Sequence, residues 1–169
     1  MVDRITIRDI AKMKLLGEKI PMITAYDYVT ARLADQVGMP SILVGDSLGM
    51  VVLGYESTAQ VTLDEMLHHI KAVCRGTQHA LVVGDLPFMT YQIDPSQALR
   101  NATRIVQEGG AQAVKLQKRD NRALYTKALY NQPYDNRNSY GKTYGEHRDF
   151  LEFGKNEYLE LKRLSLIHI

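Results

Sequence analysis

Through residue 116 the apolar positions switch between two kinds of spacing. Ile7, Ile10, Ala11, Met13 and Leu15 recur close to one helical face, and Gly17 follows as a stop. Pro21–Ala25 lacks that period and reads as a first strand, running out into Tyr26-Asp27. Ala31, Leu33, Ala34 and Val37 return to helical spacing and close at Gly38. Ile42–Val44, set between Pro40 and Gly45, is apolar without alternation, the mark of a parallel strand buried on both faces. Thr62-Leu63-Asp64-Glu65 is a capping box, with Thr62 as N-cap and Glu65 three residues on. The helix it opens is predicted to reach about Cys74 and stop before Gly76. Ala80–Val83 is a third strand, ending in Gly84-Asp85. Asp94 caps a further helix, with Pro95 at the favoured first position and Gly109-Gly110 at its end. Ala113–Leu116 is the fourth strand, interrupted by Lys115.

Strands alternating with helices predict a (β/α) barrel or a doubly wound parallel sheet. No Gly-x-Gly-x-x-Gly follows the first strand, which counts against a dinucleotide-binding sheet. A closed barrel needs eight strands and typically ~250 residues. The chain has 169 residues and four legible strands. The expected fold class is therefore α/β, a partial (β/α)₈ barrel of about four β/α units. The connection Leu48–Gln60 is long for a βα loop, as a substrate-covering element would be. Beyond residue 117 the pattern changes. Lys118 to Gly145 is polar, without helical or strand period, and is expected to be mobile. Phe150, Leu151, Phe153, Tyr158, Leu159 and Leu161 outline a helical face within Glu146–Arg163, and Leu164–Ile169 has no cap or turn logic and reads as a non-native tail.

Charge and composition narrow the functional classes only a little. There are 21 basic and 19 acidic side chains, so no basic face advertises nucleic acid or anionic lipid. No apolar run approaches transmembrane length, so no membrane partner is expected. A single cysteine, Cys74, allows no internal disulfide and suits a reducing cytoplasm.

Candidate chemistry collects at three strand ends: Asp46-Ser47, Asp85, and Lys115 with Gln117. In parallel α/β folds the C-terminal ends of strands carry the chemistry. Neighbouring strands lie ~4.8 Å apart, so carboxylates at adjacent ends can converge on one cation. Two Asp with no nearby Cys or ligand-spaced His favour a hard ion such as Mg²⁺ over Zn²⁺. Lys115 would then neutralise a substrate carboxylate. The plainer alternative makes both Asp loop caps and Lys115 a snorkelling side chain. Asp27 also ends a strand, yet is as well placed to start the helix after it. His68 and His69, adjacent on a helix, point about 100° apart and make no metal pair. Cys74 lacks the electropositive setting of a reactive thiol. Met50, Met66 and Met89 read as core filler or pocket lining.

Residues 1–116 resemble the ketopantoate hydroxymethyltransferase family in several long motifs in register. These are Ile23-Thr24-Ala25-Tyr26-Asp27, Leu43-Val44-Gly45-Asp46-Ser47-Leu48-Gly49-Met50, Ser57-Thr58, Val61-Thr62, Gly84-Asp85-Leu86-Pro87-Phe88-Met89 and Ala113-Val114-Lys115-Leu116. The resemblance implies a (β/α)₈ barrel that transfers a hydroxymethyl group from 5,10-methylenetetrahydrofolate to 3-methyl-2-oxobutanoate in pantothenate synthesis. It implies Mg²⁺ on Asp46 and Asp85, and an oxoacid that chelates the metal and meets Ser47 and Lys115. The family continues Lys-Leu/Ile-Glu-Gly-Gly, and that Glu belongs to its metal site; here Gln117 and Lys118-Arg119-Asp120 follow. Nothing downstream matches the strand that carries the family's general-base Glu.

A second resemblance starts where the first fades. Ala113-Val114-Lys115-Leu116-Gln117-Lys118-Arg119-Asp120 and Tyr140-Gly141-Lys142-Thr143-Tyr144-Gly145-Glu146-His147-Arg148 resemble the N-acetylneuraminate synthase family. There Lys-x-Gln, here Lys115 and Gln117, would lie at a phosphoenolpyruvate site. The expected organisation is a hydroxymethyltransferase-like half-barrel over 1–116, a sialic-acid-synthase-like segment over 117–163 and the tail 164–169. The expected function is ketopantoate formation, truncated and impaired. A sialic-acid-synthase-like fragment and a non-catalytic half-barrel stand as alternatives. Four strands leave the first and fourth as open edges, so a homo-oligomer is expected.

Overall fold

The computed structural model describes residues 4–116 together with Asn131 and Pro133. Within them, four parallel strands form one sheet in chain order: β1 (Met22–Thr24), β2 (Ser41–Val44), β3 (Leu81–Asp85) and β4 (Ala113–Lys115). Helix α1 (Ile7–Leu15) precedes the sheet. Helices α2 (Tyr28–Gln36), α4 (Leu63–Gly76) and α5 (Pro95–Gln107) connect consecutive strands, and α3 (Leu48–Val51) is a single turn after β2. Parallel neighbours each joined through a helix are the repeating unit of a (β/α)₈ barrel, of which this is a part.

The strands owe their places to burial. All five residues of β3 are buried, as are three of the four in β2, so both need apolar residues on each face. β1 is exposed along its length and β4 half-buried, as befits the two outer strands of the described sheet. Register runs Ile42 against Val82 and Asp85 against Lys115. Met66, Ile70 and Val73 of α4 and Ile105 of α5 pack with Ile42, Val44 and Val82 into one core. Gly84 marks where helices press hardest on the sheet. A Cβ there would lie 2.8 Å from side-chain atoms of both Ile70 and Ile105.

Caps settle the helix starts. Thr6 with Asp9, and Thr62 with Glu65, close reciprocal capping boxes, and Asp94 accepts from the Gln97 amide ahead of Pro95. Helix α1 forms as expected, with Ile10 and Met13 half-buried and none of its residues fully so. Two expectations need amending. Helix α4 runs through Gly76, because that glycine lets α4 approach α2: a Cβ on it would sit 2.5 Å from the Tyr28 carbonyl oxygen. The Leu48–Gln60 connection is no open loop. It holds α3 and a 3₁₀ turn, Thr58–Gln60, with its own capping box from Ser57 and Gln60.

Among the described residues no helix is long and apolar enough to cross a membrane. Gln117, the expected mobile stretch 118–145, the helical face near Phe150 and the tail 164–169 lie outside the described residues, Asn131 and Pro133 excepted.

Candidate active site at the strand ends

Asp85 closes β3, and the register sets Lys115 of β4 beside it. The Lys115 ammonium donates to both carboxylate oxygens of Asp85, at 2.7 and 2.9 Å. Asp85 is 1% exposed, and a carboxylate so buried needs hydrogen bonds of this kind to offset its lost hydration. Lys115 therefore neither snorkels to solvent nor stands apart. Asp46, also buried, lies beyond Gly45 at the end of β2, and its backbone N–H points at Asp85 Oδ2 at 3.4 Å. Gly45 keeps this corner open: a Cβ on it would lie 3.0 Å from Ser47 Oγ and 3.5 Å from Asp85 Oδ2.

Ser47 stands at the N-cap position of α3 in a helical backbone conformation, and its side chain makes no capping bond. Its hydroxyl instead pairs with the Tyr26 phenol at 2.8 Å. Tyr26 follows β1, where the Ala25 N–H to Leu43 carbonyl bond carries the ladder one step beyond the strand. The Tyr26 carbonyl lies 2.7 Å from His69 Nδ1 on α4. The connection after β2 folds back over this end. Gly49 fits against Val61 and Tyr55, and the Tyr55 hydroxyl donates to Glu65. The Thr62 amide, then Tyr55, hold the Glu65 carboxyl below its ordinary range, while the hydrogen bond to Glu65 pushes the Tyr55 phenol up.

Asp46, Ser47, Asp85 and Lys115 thus share one end of the sheet. Two buried carboxylates beside a hydroxyl form a hard-oxygen donor set, which suits a cation such as Mg²⁺ in kind. Among the described residues no three His, Cys, Asp or Glu side chains gather as a metal cluster. Gln117, at the position where the family resemblance implies a further metal ligand, lies outside the described residues.

Other residues singled out by sequence resolve differently. Asp27 is the N-cap of α2, accepting from the Thr30 amide. His68 is exposed, whereas His69 serves as the Tyr26 contact. Burial pushes the Cys74 thiol up to about 11 against the pull of Arg4 and Arg75, so it is a poor nucleophile. Met66 is core, while Met50 and Met89 are exposed and Met89 holds a left-handed φ of 63°. The Tyr26–Ser47 pair was not anticipated. Its only trace in sequence is an aromatic hydroxyl directly after a strand.

A family model described as ketopantoate hydroxymethyltransferase matches residues 4–133, which carries the match past Leu116. The protein named 3-methyl-2-oxobutanoate hydroxymethyltransferase from Chloroflexus aurantiacus is 67% identical over 114 residues, 68% of this chain and 40% of the relative. Its namesake from Dehalococcoides mccartyi is 62% identical over 114 residues, with the same coverage. The chain thus spans about 40% of the length of these curated relatives. Among solved structures, oxaloacetate acetylhydrolase superposes with a TM-score of 0.50 at 18% identity, over 66% of this chain and 40% of that one. Phosphoenolpyruvate phosphomutase from Streptomyces platensis subsp. rosaceus gives 0.50 at 19%, with the same two shares. At such identity these structures speak for the fold alone. With the family model covering most of the chain, and relatives well above half identical, the chain belongs to the ketopantoate hydroxymethyltransferase family.

Proposed function

We propose that the strand-end cluster is the oxoacid half of a hydroxymethyltransferase site. In this reading 3-methyl-2-oxobutanoate accepts a hydroxymethyl group from 5,10-methylenetetrahydrofolate, giving ketopantoate on the route to pantothenate and coenzyme A. The observation that carries it is the convergence of Asp46, Asp85 and Lys115 on neighbouring strand ends within a family member. Asp46 and Asp85 would hold Mg²⁺. When bound, the ion supplies Lewis acidity toward the 2-oxo group, which lowers the cost of losing the C3 proton. Lys115 contributes the cation that an oxoacid carboxylate needs, and Ser47 a hydroxyl donor beside it. Burial of the two carboxylates favours such contacts, since charges act more strongly away from water.

Homo-oligomers in a reducing cytoplasm complete the proposal. The exposed apolar edge of β1 supports the first, and Cys74, kept as a free thiol, the second. The test is binding of 3-methyl-2-oxobutanoate to the 169-residue chain by calorimetry, with Mg²⁺ and with EDTA. Binding should require Mg²⁺ and weaken at least tenfold, about 1.4 kcal/mol, in Lys115→Met. Equal binding with EDTA, or an indifferent Lys115→Met, contradicts the reading.

A further inference from the structure

Ser47 sits where its hydroxyl would ordinarily cap a helix, and it does not. A serine at an N-cap position usually spends its oxygen on the amides of the next turn. Here α3 receives no side-chain cap, and the Ser47 hydroxyl lies 2.8 Å from the phenol of Tyr26. Something else must therefore fix the Ser47 rotamer, and Tyr26 is the group in contact.

Tyr26 is itself held at both ends. Its amide segment leaves β1 directly after the Ala25 to Leu43 ladder bond, and its carbonyl is 2.7 Å from His69 Nδ1. The side chain is partly buried against the core, which limits its sweep. Tyr26 thus bridges α4, through its carbonyl, and the end of β2, through its phenol. Opposite Ser47, across Gly45, lies Asp85 with Lys115.

We propose that Tyr26 is a positioning residue of the oxoacid site, acting through Ser47. The Tyr26 hydroxyl donates to Ser47 Oγ, and Ser47 turns its own proton outward to donate to the carboxylate or oxo oxygen of a 2-oxo acid. Two hydroxyls in series polarise one another, so Ser47 becomes a better donor than a lone serine. His69, with its proton on Nδ1, keeps the Tyr26 backbone in register for this. The proposal rests on the oxoacid reading of the site.

The test is a double-mutant cycle on the 169-residue chain, measuring affinity for 3-methyl-2-oxobutanoate in saturating Mg²⁺. Tyr26→Phe removes one hydroxyl and keeps the ring, and should weaken binding roughly three- to tenfold. In the Ser47→Ala background the same substitution should change nothing. The phenol-bearing ring carbon of Tyr26, followed by NMR, should shift when oxoacid is added to the parent and stay still in Ser47→Ala. That measurement leaves Tyr26 intact, so it stands even if Tyr26→Phe folds poorly. Equal losses in both backgrounds, or a Tyr26 resonance that ignores the oxoacid while the parent binds it, overturn the positioning role alone. A parent that takes no oxoacid overturns the functional reading and this role with it.

Discussion

At the scale of single residues, the candidate side chains were legible where the backbone does the placing. Asp46, Ser47 and Asp85 could be picked out because each follows an apolar run whose end is set by a glycine or a turn. What escaped was contact between side chains. Lys115 bonds Asp85 because of strand register, and Tyr26 reaches Ser47 across the sheet end. Neither geometry has a local signature. Asp35 is a further case. It falls near the C-terminal end of α2, and nothing in its surroundings in sequence hints at a role. In the structure its buried carboxylate takes the amides of Gln78, His79 and Ala80 at 2.9, 3.0 and 2.7 Å, tying α2 to the start of β3. Burial alone would raise its pKa, but the Ala80, Gln78 and His79 amides and the His79 ring outweigh it and hold the carboxyl below the ordinary 3.8. A depressed folded pKa means stability that is present above the unfolded value and lost as pH falls through the folded one. Thermal melts of the parent should therefore drop in Tm as pH falls below about 4. Asp35→Asn should be less stable near neutrality, by about 1.5–3 kcal/mol, and less sensitive to acid. Identical acid slopes for the two proteins would remove Asp35 from this role.

At the scale of elements, periodicity and caps carried the prediction well. Helices α4 and α5 begin at the Thr62 and Asp94 caps that the sequence announces, because reciprocal capping is a local matter of four residues. Ends were harder. Gly76 reads as a stop, yet it stays helical because its missing side chain admits the Tyr28 carbonyl, a tertiary contact. Gly84 is the same lesson within a strand. Its replacement by Ala should cost about 1–3 kcal/mol through overlap with Ile70 and Ile105. Urea unfolding of Gly84→Ala, and of Gly84→Ala with Ile70→Val, reads this directly. The pair should be more stable than Gly84→Ala alone, since valine lacks the Cδ1 atom that the new methyl meets. A fully stable Gly84→Ala would mean that the sheet and helices are packed more loosely than described.

At the scale of the whole molecule, the fold class followed from the alternation of strands and helices, and the structure bears it out as a part of a (β/α)₈ barrel. The described sheet ends on β1 and β4, and β1 presents Met22 and Ile23 at 49% and 41% exposure. Exposed apolar residues along a sheet edge invite pairing with another copy. Light scattering on the purified chain should accordingly give a mass above that of one chain, and Ile23→Lys should lower it. A parent that stays monomeric at high concentration contradicts the oligomer. The organisation beyond Leu116 was read from motifs alone, and apart from Asn131 and Pro133 those residues are not among the ones described.

In the proposed site Asp46 and Asp85 act together on one divalent cation. The most direct measurement is Mg²⁺ affinity, by calorimetry without substrate, for the parent, Asp46→Asn and Asp85→Asn. Each substitution removes one of two charged hard donors, so each should weaken binding at least tenfold while the fold, checked by circular dichroism, is kept. Mg²⁺ affinities equal to the parent's in both variants would contradict the assignment of this cluster as a metal site.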